Sequence, residues 1–263
     1  MTITRELLQE RVGKPHLSYS SLKYAYAGDM EKWAMYMRGE LKKESPALEF
    51  GSLYDMMLFE PNKVDLNYWV YSHESILEQC SDAVRDRDRP TTTKEYRDVK
   101  ADMEKEAEQK DLILVPLEEY NKAHAMIERL ESCGLSDMYL SSGNYQVEFN
   151  EELDGVGPVK GFIDCLGDGY VVDSKSTRGI KTFKYDVGSF CYDIQAYLYT
   201  KVTGTDEFYW LVQEKDVPYY PAIVTCSQAT LLAGEMKVNQ AIENIKAYLS
   251  DDIPRRDYAE FTI

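Results

Sequence analysis

Two acidic side chains and a lysine lie at the ends of two short apolar segments. Asp164 ends the run Phe-Ile-Asp, and nine residues later Asp173 and Lys175 end the run Val-Val-Asp-Ser-Lys. Because side chains alternate along a strand, Asp173 and Lys175 would point to the same side. Carboxylates that hold Mg²⁺, beside an ammonium that steadies a water or a developing charge, suit the hydrolysis of a phosphodiester bond. The pattern predicts a metal-dependent nuclease.

Each of these residues also has a simpler interpretation. An acid at a strand end more often begins a surface turn, and the letters Asp-x-Lys are common by chance. Against this, an acid that closes an apolar strand is costly to bury unless it is paired or bound to a metal. Asp164 and Asp173 together, with Lys175 two residues on, favour the metal site.

A glutamine and a tyrosine follow on a predicted helix. Gln195 and Tyr199 are four residues apart, so they share one helix face at about 6 Å from each other. A glutamine on the face that packs toward the sheet could support Lys175 or contact a phosphate. The alternative is an exposed glutamine on an ordinary amphipathic helix.

Two further acids are candidates for metal ligands. Glu148 alternates with apolar neighbours on the strand before Asp164, and a solvated strand residue is the competing interpretation. Asp55 lies inside the apolar run 53–59, where a carboxylate needs a partner. A metal, a helix N-terminus or an arginine would each serve.

Composition limits the class of protein. The 263 residues suit a single domain, and a hydrophobic content of 44% provides enough material for a core. There is no apolar run of about 18 residues and no signal-peptide pattern, so we expect a cytoplasmic protein without a membrane segment. The five cysteines form no C-x-x-C pair, which argues against a zinc or iron–sulfur site.

The net charge of −16 is unusual for a protein that binds DNA. DNA-binding proteins generally carry a basic footprint. Either the cations are concentrated locally, as at Arg85, Arg87 and Arg89 or at Lys94 and Arg97, or the protein does not bind DNA tightly.

The hydrophobic pattern predicts helices, then a β-meander, a helix, two strands and a last helix. This order is typical of an α/β sandwich around a mixed central sheet flanked by helices. We expect one domain, with a mainly helical part at 1–140 and an α/β core at 141–263. The charge-rich segment 72–111 is the candidate for a mobile or disordered loop before a polar helix. The elements are predicted as one helix that carries Leu22, Tyr26, Met30 and Trp33, helices at 51–61, 116–134 and 191–202, strands at 145–149, 159–166, 170–174, 207–214 and 219–225, a turn within 150–157, and a helix from Leu231 to Leu249.

These motifs together resemble the PD-(D/E)XK nuclease superfamily. More narrowly, the chain resembles the RecB-like branch and its phage and prophage exonuclease VIII (RecE-type) group. The resemblance covers most of the chain, and its most specific element is the Gln-x-x-x-Tyr helix at its distance from Asp-x-Lys. The supporting segments are Lys160-x-x-x-Asp164, Asp173-Ser-Lys175, Gln195-x-x-x-Tyr199, Leu17-Ser-Tyr-Ser-Ser-Leu22, Gly51-Ser with Leu58-x-Glu60-Pro61, the helix at 117–130, and Gln213-Glu-Lys215-x-x-Pro218-Tyr219.

The resemblance implies a restriction-endonuclease-like core with a helical N-terminal elaboration and a site for Mg²⁺, with Mn²⁺ as a substitute. It implies an exonuclease that degrades linear duplex DNA from the 5′ end, beside a single-strand annealing protein, often as a homo-oligomeric ring. By position, Asp164, Asp173 and the Ser174 carbonyl would bind the metal, and Lys175 would orient or activate the water. Gln195 and Tyr199 would brace the site. We assign contacts with DNA to Lys160, Thr177 and Arg178.

One position departs from the family pattern, which usually has a histidine ligand where this chain has Asp55. Aspartate is a hard oxygen ligand that suits Mg²⁺. The leading hypothesis is therefore a metal-dependent exodeoxyribonuclease of phage-type recombination. The alternatives are a nuclease of other polarity, an endonuclease, or an inactive nuclease-like acidic protein that binds a host DNA-processing protein.

Overall fold

A five-stranded mixed sheet forms the centre of the protein. The computed structural model describes residues 1–41 and 45–250. The sheet has the strand order β3-β4-β5-β6-β7, and a separate parallel pair joins β1 to β2. The strands are β1 (Tyr68–Tyr71), β2 (Ile113–Pro116), β3 (Asn144–Leu153), β4 (Gly157–Leu166), β5 (Tyr170–Thr177), β6 (Glu207–Glu214) and β7 (Pro221–Thr225).

The pairing of β4 with β5 is much shorter than the strands themselves. Only Cys165↔Val172 and Leu166↔Val171 are paired, although both strands continue for several residues. By contrast, β5 pairs with β6 in parallel along its whole length, from Tyr170↔Glu207 to Thr177↔Glu214. The strands β4 and β5 therefore diverge after two pairs. This divergence leaves backbone groups between them available to side chains.

Helices flank the sheet on both faces. The α-helices are α1 (Arg5–Val12), α2 (Tyr19–Tyr26), α3 (Met30–Met37), α4 (Pro46–Phe59), α5 (Val64–Asn67), α6 (His73–Leu77), α7 (Asp82–Arg85), α8 (Lys94–Gln109), α9 (Leu117–Ser132), α10 (Leu135–Tyr139), α11 (Phe183–Ser189), α12 (Tyr192–Thr203) and α13 (Gln228–Leu249). Short 3₁₀ turns lie at Pro61–Lys63, Pro90–Thr92 and Ile180–Thr182. No helix within residues 1–41 and 45–250 is both long and apolar enough to cross a membrane.

The apolar core divides between the two faces of the sheet. On one face, α12 and α13 pack with α1, α2 and α3 over Val171, Phe208 and Trp210. On the other face, Val172 and Leu211 contact Phe59 of α4 and Leu130 of α9. Since side chains alternate along β5 and β6, adjacent residues of each strand supply the two cores. The observed mixed sheet between helical layers confirms the predicted fold class.

The predicted helix that carries Leu22, Tyr26, Met30 and Trp33 is two helices. Gly28 has a φ of 81°, a left-handed conformation that glycine adopts readily, and it separates α2 from α3. Asp29 then caps α3, since its side chain accepts a hydrogen bond from the Lys32 N–H at 3.0 Å. The single-helix prediction was wrong because the apolar spacing continues across the break.

The charge-rich segment 72–111, predicted as a mobile or disordered loop, contains regular helices. It forms α6, α7 and α8, which enclose a small core of their own around Ile76, Tyr96 and Met103. The polar helix expected after the Pro-Thr-Thr-Thr stretch is α8, and Thr93 caps it by accepting from the Tyr96 N–H. Sequence reasoning missed β1 and β2, which frame this segment.

The helices α12 and α13 approach each other closely at a glycine. A Cβ at Gly234 would overlap the carbonyl oxygen of Asp193 and would lie 3.0 Å from the Cβ of Tyr197. Gly188 in α11 has nothing within 4 Å of the same position. Gly234 is therefore required by packing between the helices, whereas Gly188 has no such restraint.

We expect Gly234→Ala to lower the free energy of unfolding by about 1–3 kcal/mol, the usual effect of overpacking a core. Gly188→Ala is the control, because alanine in an open helical position is neutral or stabilises by up to about 1 kcal/mol. Urea denaturation of both variants measures the difference. Equal stabilities would show that α12 and α13 have room to separate.

Candidate active site

The Asp164 carboxylate bridges the gap where β4 and β5 diverge. Its Oδ2 accepts a hydrogen bond from the backbone N–H of Ser174 at 2.9 Å. Its Oδ1 accepts from the side chain of Gln146 at 3.4 Å. Gln146 lies opposite Asp164 in the β3–β4 hairpin and has a φ of 48°. Asp164 thus takes the place of a backbone partner that β4 no longer provides to β5.

Asp173, the residue directly before Ser174 in β5, is buried, with a side chain that is 1% exposed. Its Oδ1 accepts a hydrogen bond from Nε2 of Gln195 at 2.6 Å, and its Oδ2 forms an ion pair with Lys175. Asp173 and Lys175 are two residues apart in β5, so the alternation of strand side chains places them on the same face of the sheet. Gln195 reaches them from α12, which packs on the same face of the sheet.

Lys175 is an ammonium held among oxygens and an aromatic ring. Its Nζ also donates to the backbone carbonyl of Ser174 at 3.1 Å and lies 5.0 Å from the centre of the Tyr192 ring. Burial alone would lower the pKa of Lys175, but the carboxylates of Asp173 and Asp164 outweigh it and raise that pKa above its ordinary value. Lys175 is therefore protonated at neutral pH.

Asp55 of α4 joins the same electrostatic group from the opposite face of the sheet. Burial raises the pKa of Asp55 well above its ordinary value, and the nearby Asp164 carboxylate raises it further. Lys175 and the Ser174 side chain act in the opposite direction. The position usually occupied by histidine in the family pattern therefore lies beside the carboxylates of β4 and β5.

The two sheet carboxyl groups also have raised pKa values. Burial raises the pKa of Asp173 to about 7, with Lys175 opposing the shift and Asp164 adding to it. For Asp164, burial again raises the pKa, against the charge of Lys175 and the hydrogen bond from Ser174. Three carboxyl groups thus share one lysine, and an added cation would favour their ionised forms.

The orientation of α4 depends on a buried polar network. The Tyr54 hydroxyl, adjacent to Asp55, donates to Oε1 of Gln213 in β6 at 2.5 Å. Nε2 of Gln213 donates to the carbonyl oxygens of Met126 at 2.7 Å and Tyr219 at 3.0 Å. This network fixes α4 and α9 against the sheet, so the side chain of Asp55 has a defined position.

Tyr199 lies one helical turn after Gln195 and is buried in an aromatic cluster. Its ring lies 5.5 Å from that of Phe149, at a steep angle, and 6.4 Å from that of Phe208. Burial raises the pKa of Tyr199, and the carboxylates of Asp173 and Asp164 raise it further, so its hydroxyl stays neutral. Tyr199 supports the site through packing between α12 and β3.

The structure does not bring Glu148 to the other carboxylates. Glu148 pairs with Phe162 in the hairpin, two residues from Asp164, and its side chain forms an ion pair with Lys160 at 2.6 Å. Thr177, predicted to contact DNA, is buried and accepts from the Gly179 N–H at 3.2 Å. Arg178, in contrast, is exposed at the end of β5.

The oxygen atoms of the site suit a hard divalent cation. The Ser174 hydroxyl and Oε1 of Gln195 are buried oxygens of the site, and the Ser174 side chain lies near enough to Asp55 to lower the pKa of that carboxyl group. Asp164, Asp173 and the Ser174 carbonyl would supply oxygen ligands of the kind that Mg²⁺ binds while it keeps several waters. Within residues 1–41 and 45–250, no three His, Cys, Asp or Glu side chains converge into a complete ligand set. The donors that are present are oxygens, the ligand type that Mg²⁺ prefers.

Sequence reasoning missed three residues around this group. Gln146 could be paired with Asp164 only once the hairpin register was known. Tyr192 lies under the ammonium of Lys175. Tyr19 is near enough for Lys175 to lower its pKa, while burial raises that pKa overall. Tyr19 belongs to the Leu17–Leu22 segment that supports the family resemblance, but the sequence predicted no contact for it.

The family of the chain follows from its sequence. A model described as "PDDEXK-like domain of unknown function (DUF3799)" matches residues 18–256. The chain belongs to this family. The superfamily predicted from the Asp164, Asp173 and Lys175 motifs is therefore confirmed. No curated protein matches the sequence significantly.

Several solved structures are similar to this chain at low sequence identity. A candidate exonuclease from Eubacterium rectale is 19% identical, with a TM-score of 0.62 over 96% of this chain and 88% of that one. An alkaline exonuclease from Laribacter hongkongensis is 12% identical, with a TM-score of 0.33 over 69% and 90%. A phage related exonuclease from Haemophilus somnus 129PT is 13% identical, with a TM-score of 0.35 over 72% and 99%. The first likeness shows the fold, and the other two are too weak to support an argument.

The raised pKa of Asp55 gives a stability test in the absence of metal. A carboxyl group with a raised pKa in the folded protein contributes stability below its unfolded pKa and loses it as the pH rises through the folded pKa. Metal-free protein should therefore lose stability as the pH rises from about 4 toward neutrality. We expect Asp55→Asn to be more stable than wild type near pH 7, by on the order of 1 kcal/mol.

Urea denaturation in EDTA at the two pH values measures this difference, with the exposed helical Asp98→Asn as control. With Mg²⁺ added, the order should reverse, because wild type gains more stability from binding than the variant does. If Asp55→Asn matches wild type in both conditions, Asp55 does not belong to the site.

Proposed function

We propose that the protein is a metal-dependent exodeoxyribonuclease that hydrolyses linear duplex DNA. The observation that carries the proposal is the joint placement of Asp164, Asp173, Lys175 and Gln195 where β4 and β5 diverge. A buried lysine that shares two carboxylates is a poor stabilising device, since a buried ion pair seldom gains net free energy. Such an arrangement is better explained as a site for charge that arrives with metal and substrate.

The metal is proposed to be Mg²⁺, with Mn²⁺ as a substitute, held by Asp164, Asp173 and the Ser174 carbonyl, with Asp55 beside them. When bound, Mg²⁺ polarises the phosphate oxygens and lowers the pKa of a coordinated water. Gln195 holds Oδ1 of Asp173 through its 2.6 Å hydrogen bond and so fixes the carboxylate plane. Ser174 does the same for Asp164 through its N–H.

Lys175 acts as a fixed positive charge. Because neighbouring carboxylates raise its pKa, it cannot accept a proton near neutral pH. It can donate hydrogen bonds to a water or to a phosphate oxygen that gains negative charge.

The finer points of the proposal rest on resemblance. The exonuclease VIII-like motifs support degradation from the 5′ end, a role in phage-type recombination beside an annealing protein, and a homo-oligomeric ring in the host cytoplasm. The candidate exonuclease that shares the fold adds support for action at DNA ends. In a ring, only the inner channel need be positive, which reconciles DNA binding with the net charge of −16.

The test uses linear duplex DNA labelled at the 5′ or the 3′ end, and circular duplex, with Mg²⁺, Mn²⁺ or EDTA. We expect early release of the 5′ label from linear DNA alone, and only with metal. Lys175→Gln should reduce the rate by about 10²-fold or more, since it removes the charge next to the scissile phosphate. Lys201→Gln on α12 is the matched control and should retain the wild-type rate.

Other results would redirect the assignment. Nicked circles would indicate an endonuclease, and early release of the 3′ label would reverse the polarity. Intact DNA with both metals, together with no metal binding by calorimetry, would favour the inactive acidic protein that binds a DNA-processing partner.

A further inference from the structure

Two lysines and an arginine converge beyond the carboxyl ends of β5 and β6. Nζ of Lys122 lies 4.8 Å from the centre of the Phe50 ring, and Nζ of Lys215 lies 5.9 Å from it. The backbone N–H of Lys215 donates to the carbonyl of Thr177 at 2.9 Å, which brings Lys215 beside Arg178. We call Lys122, Arg178 and Lys215 the cationic cluster.

The charges of the cationic cluster are poorly compensated. Lys122 has one ion pair, with Glu119 at 3.3 Å, and the described residues form no ion pair with Lys215 or Arg178. Burial lowers the pKa of Lys215, and the charges of Lys122 and Arg178 lower it further, against weaker opposing effects of Glu119 and Asp216. A protein with a net charge of −16 has thus collected three cations that repel each other.

The parts that hold the cationic cluster are rigid. Gln213, two residues before Lys215, is fully buried and is bonded to Tyr54, Met126 and Tyr219. Phe50 belongs to the apolar core of α4 and α9. The cations are therefore presented on a formed surface, which reduces the entropy lost when a ligand binds.

The cationic cluster lies close to the candidate metal site. Arg178, directly after β5, follows Lys175 by three residues, about 10 Å along an extended chain. Phe50 precedes Asp55 by five residues in α4, about 7.5 Å along the helix axis. One DNA strand carries a charge about every 3.4 Å of axis, so this separation corresponds to two or three phosphates.

We propose that the cationic cluster of Lys122, Arg178 and Lys215 binds phosphate of the DNA substrate, within about three nucleotides of the scissile bond. Arg178 offers a planar fork for two phosphate oxygens, and the lysines add point charges. The inference rests on the proposed nuclease function and extends it, because it gives an acidic protein its contact with the backbone.

The experiment measures binding of a labelled duplex in EDTA, where no cleavage occurs, between about 50 and 200 mM salt. Each phosphate contact contributes about 0.9 to the slope of log K against log salt concentration. Lys122→Gln with Lys215→Gln should lower the slope by about two and weaken binding about tenfold or more at low salt. Arg178→Ala, at an exposed position that folding does not depend on, should lower it by about one.

The matched control is Lys100→Gln with Lys110→Gln on α8. These lysines also lie over aromatic rings, Tyr71 and Trp69, but in the separate core of the 72–111 segment. The control should keep the wild-type slope, and denaturation should confirm that all variants fold. A wild-type slope in both the double variant and Arg178→Ala would overturn the proposal while leaving the nuclease function intact.

The source of the phosphate is distinguished by the DNA end. If the slope lost with the variants is the same for duplexes with 5′-phosphate and 5′-hydroxyl ends, the cationic cluster binds the phosphodiester backbone. If the variants lower the slope only for the duplex with the 5′-phosphate, the cationic cluster binds that terminal phosphate. Cleavage by wild type in Mg²⁺ tests the proposed function separately, and a wild type that neither binds nor cleaves DNA would overturn both.

Discussion

The burial of Asp173 against Lys175 is the interaction on which the rest of the site depends. A carboxylate that is 1% exposed would be neutral without a cation, and a buried lysine would lose its proton without a carboxylate. Lys175 opposes the rise in pKa that burial causes for Asp173, and Asp173 keeps Lys175 protonated. The surrounding groups serve this pair, since Gln195 holds the second oxygen of Asp173 and Tyr192 lies under the ammonium.

The divergence of β4 and β5 places the pair beside a gap in the sheet. After two residue pairs, the backbone of β5 has no strand partner on its β4 side, and Asp164 accepts the Ser174 N–H instead. A continuous ladder would satisfy the same group and would close the gap. The sheet therefore lacks β4–β5 ladder hydrogen bonds where the candidate oxygen ligands lie. On the α4 side of this gap, Asp55 adds a further carboxyl group.

Sequence could predict the parts of the site that depend on local geometry. The shared side of Asp173 and Lys175 follows from strand alternation, and the shared face of Gln195 and Tyr199 follows from helical spacing. The order of strands and helices along residues 144–249 and the mixed central sheet agree with the hydrophobic pattern. Glu148 shows the limit of this reasoning, because its direction depends on a hairpin register that pairs it with Phe162 and leaves it beside Lys160.

Long-range contacts account for most of what the sequence did not predict. The closeness of Asp55 to Asp164 depends on how α4 packs on the sheet, through the bonds of Tyr54 and Gln213. The strands β1 and β2 pair across the whole 72–111 segment, so neither has a local partner. Apolar spacing also continued through Gly28, where only a backbone preference ends the helix.

The charge distribution connects stability with function. Three carboxyl groups have raised pKa values, and Lys215, which follows β6, has a lowered pKa. Each shift indicates that the charged form of the group is in unfavourable surroundings. A cation would relieve the carboxyl groups, and a phosphate would relieve the lysine. A metal and a nucleic acid backbone carry opposite charges. When the two bind side by side, the metal compensates the carboxyl groups and the phosphates compensate Lys215. The unfavourable electrostatics of the ligand-free protein are thus the counterpart of its proposed substrate complex.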